Sequence, residues 1–367
     1  MITRVLCGIP RLIRDSWRIR KGLSVAPRLL TYTVTFRCNA KCIMCDSWKL
    51  KGHNDLELWE IESIFKQLPI LDAVRFTGGE PFVRTDMLEI VDLAVRHLRP
   101  LGIHITTNGF LTDRIVHLCE MRPRGTPLQI MVSVDGLADK HNHIRGNSNA
   151  YRCALSTLET LAPLRRKLNL DLVVNQTVVE SDGIEQYEEL HTMLKSLRVR
   201  HQVVMAYDVS ATYAVERQKD MAPTQIGQFT TIGSFSKESL GVFFQRIRRD
   251  LRSDPWWARR IKEYYLKGIE QRLNASESSS DILNPRCVAL RSHLRIFPNG
   301  DIPTCQFNSN IVGSLRRSSF RELWESDAIR KQREWVDRCV GCWAECEVVP
   351  NAVYSLDILK RGALSPR

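Results

Sequence analysis

The 367-residue chain has no apolar run of the ~18–20 residues that a bilayer-spanning helix needs. Its N-terminus also lacks the uninterrupted apolar core of a signal peptide, so the expected location is the cytoplasm. Acidic side chains are the scarcer charge, 41 against 53 Lys and Arg, for a net charge of +12. That balance suits an acidic partner such as a nucleotide, a phospholipid headgroup, RNA or an acidic peptide, without choosing among them. The basic residues are spread along the chain and no aromatic-rich RNA-recognition motif is present, which sets sequence-specific nucleic-acid binding aside. A disulfide scaffold is disfavoured too. Of eleven cysteines, eight fall into two tight sets, residues 38–45 and 287–346, and without an export signal such sets point to metal.

What is present is organised around Cys38-Asn39-Ala40-Lys41-Cys42-Ile43-Met44-Cys45. The preceding run, Thr31 to Phe36, alternates Tyr32, Val34 and Phe36 with threonines, the period of a strand. The three thiols therefore sit on a loop leaving a strand's C-terminal end. Their spacing lets one loop fold around a single small object, an iron–sulfur cluster or a metal ion. A closed structural zinc site needs a fourth ligand, and the nearest candidate, His53, is eight residues on.

From residue 31 to about 207, six strand-like runs alternate with helical stripes on short connections. This predicts parallel strands with helices outside, as an open doubly wound sheet or a partial barrel, with ligands gathered at the strands' C-terminal ends. The unusual segments lie at those ends: Thr77-Gly78-Gly79-Glu80-Pro81, Asn108-Gly109, Ser133-Val134-Asp135-Gly136, and the stretch from His141 to Gly146. The fifth run adds Asn175 and Thr177 on one face.

C-x3-C-x2-C followed by this series resembles the radical S-adenosylmethionine (SAM) enzymes, over roughly residues 30–210. The resemblance implies a partial (β/α)6 TIM-type barrel in which Cys38, Cys42 and Cys45 hold a [4Fe-4S] cluster whose fourth iron is open to SAM. It implies that the backbone of Gly78-Gly79-Glu80 meets the SAM amino group. Met44 takes the position that lies against adenine, while Ser133, Asp135, Arg145 and Asn175 fall in segments that hold ribose and the methionine carboxylate, and Asn108 joins them as a cofactor-binding residue. Asn142 departs from the family pattern, where Asp is common.

The flanking regions are read more coarsely. Residues 1–29 make a basic amphipathic segment, with Ile2, Val5, Leu6, Ile9, Leu12, Ile13 and Trp17 at helical spacing and Pro10 expected to interrupt it. It suits either packing against the main domain or peripheral contact with an anionic membrane. Residues 211–281 read as a helical connector or lid ending in an exposed linker, Asn274 to Asp281. In residues 282–367 a hairpin is expected, His293–Phe297 returning through Pro298-Asn299-Gly300-Asp301 to Ile302–Cys305, then one helix from a Ser319–Glu322 capping box to about Trp335. Five cysteines accompany it: Cys287, Cys305, Cys339, Cys342 and Cys346. Iron–sulfur and zinc both suit them. Their order resembles the SPASM/Twitch extension, and with too few cysteines for two clusters the one-cluster, Twitch-like version fits. That implies an auxiliary [4Fe-4S] cluster on Cys287, Cys305, Cys339 and Cys342, with Cys346 a fifth. Of the remaining cysteines, Cys119 reads as core and Cys7 and Cys153 have no sequence partner.

The implied reaction is reductive cleavage of SAM to a 5′-deoxyadenosyl radical, fed by a flavodoxin or ferredoxin, and hydrogen abstraction from a peptide or small polar metabolite, ending in oxidation or coupling. About 30 residues before the first strand are too few for a leader-peptide recognition domain. The competing reading is a non-catalytic iron–sulfur or zinc protein for electron transfer or assembly.

Overall fold

The computed structural model describes residues 2–50, 54–206, 235–274, 283–339 and 341–359, with side chains from Gly8 onward except at 273 and 274. The parts of the predicted linker at 275–281, His53 and the side chain of Cys7 lie outside the described residues.

Helix α1 (Ile2–Arg20) leads to strand β1 (Leu29–Thr33). Then come α2 (Leu58–Gln67), β2 (Ala73–Thr77), α3 (Met87–Leu93) with a π turn at its end, β3 (Gly102–Thr107), α4 (Thr112–Met121) and β4 (Leu128–Ser133). The series continues with α5 (Ala138–Arg145), α6 (Ala150–Leu164), β5 (Leu170–Val178), α7 (Asp182–Glu185), α8 (Tyr187–Ser196) and β6 (Arg200–Met205). After the undescribed stretch lie α9 (Lys237–Asp250) and α10 (Trp256–Asn274). The chain ends with β7 (His293–Ile296), β8 (Asp301–Pro303), β9 (Ile311–Ser314), α11 (Phe320–Trp324), α12 (Asp327–Arg338) and α13 (Glu345–Tyr354).

Strands β1 to β6 lie in sequence order, all parallel, as the alternation of strand and helix demands. The sheet is not closed: β6 ends one side and β7 the other. On β1, Tyr32 points to the helix layer, against Phe65 and Phe76 at 6.2 and 6.4 Å, while Thr31 faces the interior. The main core is the apolar helix stripes, such as Ile61, Ile64 and Phe65 of α2, on the outward faces of the strands.

Three expectations change in detail. α1 runs through Pro10 without a break. The segment 293–297 does turn tightly toward Asp301, whose carbonyl accepts from Phe297 N at 2.8 Å, but its strand joins the main sheet parallel to β1. The antiparallel hairpin is β8 with β9. The capping box Ser319–Glu322 is present, yet the helix it starts stops at Trp324 and a second begins under Ser326, whose hydroxyl caps Ile329 N.

α9 buries Leu240, Phe243, Phe244 and Ile247 with Val203 and Met205 of β6, and Trp257, Ala258, Ile261 and Lys262 of α10 line the barrel interior. This region is therefore both a flank connector and a wall of the cavity.

Candidate active site

Among the described residues the interior holds a cavity of about 480 Å³, within the range of small-molecule sites. Cys38, Cys42 and Cys45 bound one end and Cys346 lines it elsewhere. Met44, Gly78, Gly79, Glu80, Asn108, Ser133, Arg145 and Asn175 are also on its wall. Asp135 is not, being fully buried behind Arg145. Asn142 faces elsewhere, its side chain accepting from Tyr151 N at 2.9 Å, and Cys153 is on outer helix α6, away from the cavity. Cys119 is buried core.

The cysteine loop is strapped to the end of α5. Lys41 N donates to Arg145 O and Ile43 N to Ile144 O, both at 3.0 Å. Gly146 closes that helix at φ 60°, where a Cβ would stand 2.6 Å from Lys41 O. From sequence Gly146 is only the last residue of the His141–Gly146 stretch, with no role of its own; an Arg-Gly pair ending a helix is the available signal. Arg145 pairs with Asp135 at 2.6 Å and directs its Nη1 to Cys42 Sγ at 3.7 Å. Asp135 in turn accepts from Thr177 N at 3.0 Å, so strand ends β4 and β5 set the guanidinium against the loop.

Gly78 and Gly79 are fixed by close approach. A Cβ on Gly78 would lie 2.3 Å from Thr35 O, and one on Gly79 2.3 Å from Arg37 O and 2.5 Å from Phe36 O. The motif is thus laid against the backbone that carries the first cysteine. Glu80 turns inward and accepts from Asn108 N at 2.7 Å, Thr107 Oγ1 at 2.8 Å and Phe82 N at 3.1 Å. Burial pushes its carboxyl up to about 7 in spite of those three bonds.

Among the described residues no three His, Cys, Asp or Glu side chains close to the spacing of a single metal ion. The three loop thiols nevertheless sense one another electrostatically, and burial pushes Cys38 up to about 11 and Cys45 up to about 12. Buried thiols gathered on one loop, backed by a guanidinium, fit an anionic cage of several metal atoms that replaces their protons.

The C-terminal thiols form a second group. Cys305, Cys339, Cys342 and Cys346 pack around Phe307 and Ala344, and Cys287 and Cys342 each sense Cys305. Burial raises all of Cys287, Cys305, Cys339 and Cys342. Cys305 Sγ accepts from Phe307 N and Asn308 N at 3.4 and 3.3 Å, and Cys339 Sγ from Gly341 N at 3.4 Å, the amide pattern that supports thiolate ligands. Trp343, fully buried, donates to Tyr265 O at 2.8 Å and ties this group to α10.

Comparison with known proteins gives the same two units. The radical SAM superfamily model matches residues 32–194, and an iron–sulfur cluster-binding domain of SPASM type matches 287–344. The chain belongs to the radical SAM superfamily. It is 25% identical over 354 residues to an AdoMet-dependent heme synthase of Methanosarcina barkeri, covering 88% of this chain and 93% of that one. It is 32% identical over 159 residues to the mycofactocin maturase of Mycobacterium tuberculosis, but there the match spans only 38% of the relative's length. Among solved structures, Streptococcus suis SuiB bound to SAM aligns with a TM-score of 0.59 at 15% identity, over 83% of this chain and 67% of that one. The radical SAM enzyme anSMEcpe, with bound AdoMet and Cp18Cys peptide, aligns at 0.55 and 18%, over 83% and 81%. These likenesses show the fold, a radical SAM partial barrel. The protein is a radical SAM enzyme whose cofactors are a [4Fe-4S] cluster and SAM, with auxiliary iron–sulfur in the SPASM-type domain.

Proposed function

We propose that this enzyme oxidises a compact polar substrate held between the two cysteine groups. The observation that carries the reading is that one cavity is lined both by Cys38, Cys42 and Cys45 and by Cys346 of the second group. When bound, the cluster and SAM supply an electron and a carbon-centred radical that takes hydrogen from the substrate. The chain's own part is position and shelter. Cys38, Cys42 and Cys45 hold the cluster, Met44 packs at the adenine side against Ile144, Val179 and Ala206, and Gly78 and Gly79 present backbone to the amino group. Asn108, Ser133 and Asn175 offer polar partners to ribose and carboxylate, with Asp135 orienting Arg145. Cys287, Cys305, Cys339 and Cys342 hold the auxiliary group, beside which a substrate electron can leave. A flavodoxin or ferredoxin is the reductant. The relative matched along nearly its whole length is a heme synthase, which favours a non-peptide substrate.

Deuterium transfer tests the substrate class. With the small-molecule fraction of an extract from cells grown in D₂O, 5′-deoxyadenosine is expected to gain deuterium. Enrichment only from the peptide and protein fraction overturns the reading.

Glu80 gives this site a pH dependence. A cationic amino group is held best by an ionised carboxylate, so a carboxyl poised near 7 must lose its proton as SAM binds. SAM affinity is expected to weaken about tenfold per unit below that pH, and to fall again above it once the SAM amino group itself loses its proton, near the ordinary α-amino range of about 7.7–8.0. Equilibrium dialysis across about pH 6 to 8 checks this, and Glu80→Gln should flatten the acid limb of the profile.

No helix among the described residues is long and apolar enough to cross a membrane. α1 nevertheless suits peripheral contact. Leu12 and Ile19 pack inward, and Ser16 Oγ donates to Ser355 O at 2.7 Å. The outer face leaves Ile9, Ile13 and Trp17, four apart, 44%, 56% and 56% exposed, with Arg14 and Arg18 beside them. We infer that this face rests on an anionic bilayer. Vesicles containing phosphatidylglycerol should sediment the protein and shift tryptophan emission to the blue, neutral phosphatidylcholine vesicles should not, and Ile13→Ser with Trp17→Ser should abolish the binding.

A further inference from the structure

Strand register assembles a row of side chains around the cavity floor that no local motif reveals. Arg295 pairs with Thr31, Thr31 with Arg75, Arg75 with His104, His104 with Gln129, and Gln129 with Asp171. Because residues in register share a face, these groups turn to one side together, and all but the more exposed Asp171 line the cavity. From His104 onward the row is a closed hydrogen-bond chain. Thr106 Oγ1 and Gln129 Oε1 share the two ring nitrogens of His104 at 2.8 and 2.5 Å, and Gln129 Nε2 donates to Asp171 at 2.5 Å. Burial, followed by the charge of Arg75, holds His104 down at about 4, so it adds no positive charge at neutral pH.

The cations that line the cavity then divide sharply. Arg145 pairs with Asp135, Arg200 with Asp171, Lys262 with Glu345 and Arg295 with Glu347. Arg75 alone has no carboxylate in ion-pair reach among the described residues, and the hydrogen bond it makes is Nη1 to the carbonyl of Cys346 at 2.8 Å. Of the three acids on the same wall, Glu345 is committed to Lys262 and Glu80 to Thr107, Asn108 and Phe82, while Asp254 sits in the field of Arg200. A half-buried guanidinium without a counter-ion is costly, and its planar fork matches a two-oxygen anion. Arg75 precedes Gly78 by three residues on an extended strand, which sets it about 10 Å deeper than the glycine motif.

We propose that Arg75 docks an anionic group of the substrate, a carboxylate or a phosphate, on the cavity floor beside Cys346. The anion would anchor one end of the substrate there and leave the rest standing toward the SAM end, where hydrogen is abstracted. This rests on the reading of the cavity as the substrate site, and it adds the substrate's chemical class.

The test is calorimetric titration of the reconstituted, SAM-loaded protein with citrate and, separately, inorganic pyrophosphate. One of the two is expected to bind, citrate indicating a carboxylate substrate and pyrophosphate a phosphate. Arg75→Met should weaken that binding at least about tenfold, and Arg75→Lys, a point charge without the fork, by a smaller factor. If Arg75→Met fails to fold, as read from its thermal unfolding, the lysine variant decides. Equal affinity in the folded variants, or no binding of either probe to wild type, overturns the proposal. SAM cleavage is not read in this titration, so a failure here concerns Arg75 alone, whereas a protein that binds the probe normally but never cleaves SAM contradicts only the radical reading.

Discussion

Replacing Cys38, Cys42 and Cys45 together by alanine is expected to remove about half of the protein's iron, from about eight to about four per chain, and all reductive cleavage of SAM. The reason lies in where the two thiol groups sit. The loop after β1 is held by α5 through Lys41 and Ile43, independently of the C-terminal group. That group packs on Phe307, Ala344 and α10. Losing the first should therefore leave the second loaded. Iron and sulfide analysis of the variant checks the first half, and chromatography of 5′-deoxyadenosine the second. Loss of all iron would mean that the two groups load as one.

Gly79→Ala is expected to weaken SAM binding by a factor of 100 or more while the protein stays folded. The added methyl would meet three backbone atoms, Arg37 O at 2.3 Å, Phe36 O at 2.5 Å and Arg37 C at 2.7 Å, none of which can rotate away as a side chain does. Relief requires the motif and the segment entering Cys38 to separate, at a cost on the order of 1–3 kcal/mol. It also moves the backbone proposed to meet the amino group, and about 2.7 kcal/mol of lost binding is already a hundredfold. Equilibrium dialysis of SAM measures it. Gly241→Ala, where a Cβ meets nothing within 4 Å, is the control and should change neither binding nor folding.

Much of this site was legible because its signals are local. Three thiols spaced within one loop, a glycine pair behind a strand, and polar residues after successive strands are each written in a few consecutive positions. Alternation in Thr31 to Phe36 put Tyr32 and the threonines on opposite faces of a strand, and Tyr32 does pack in the core while Thr31 lines the cavity. The floor was not legible. Arg75, His104, Gln129 and Arg295 come from four strands, and only register joins them. For the same reason β7 read as a hairpin arm: its tight turn to Asp301 is local, whereas its pairing with β1 spans more than 250 residues. Pro10 was expected to interrupt α1 because a proline removes one helical hydrogen bond. The packed face of Leu12, Ser16 and Ile19 helps the helix continue past it. The place of Cys346 was hidden too, since spacing cannot tell a thiol aimed at the second group from one that also borders the central cavity.

The central claim is that the three-thiol loop leaves an iron open to SAM. The most direct measurement is anaerobic reconstitution with iron and sulfide, addition of dithionite and SAM, and quantification of 5′-deoxyadenosine and methionine. Both are expected in equal amounts even without substrate, and neither from the Cys38, Cys42 and Cys45 triple variant. A wild-type protein that carries its full iron, is reduced, and leaves SAM intact would contradict the account.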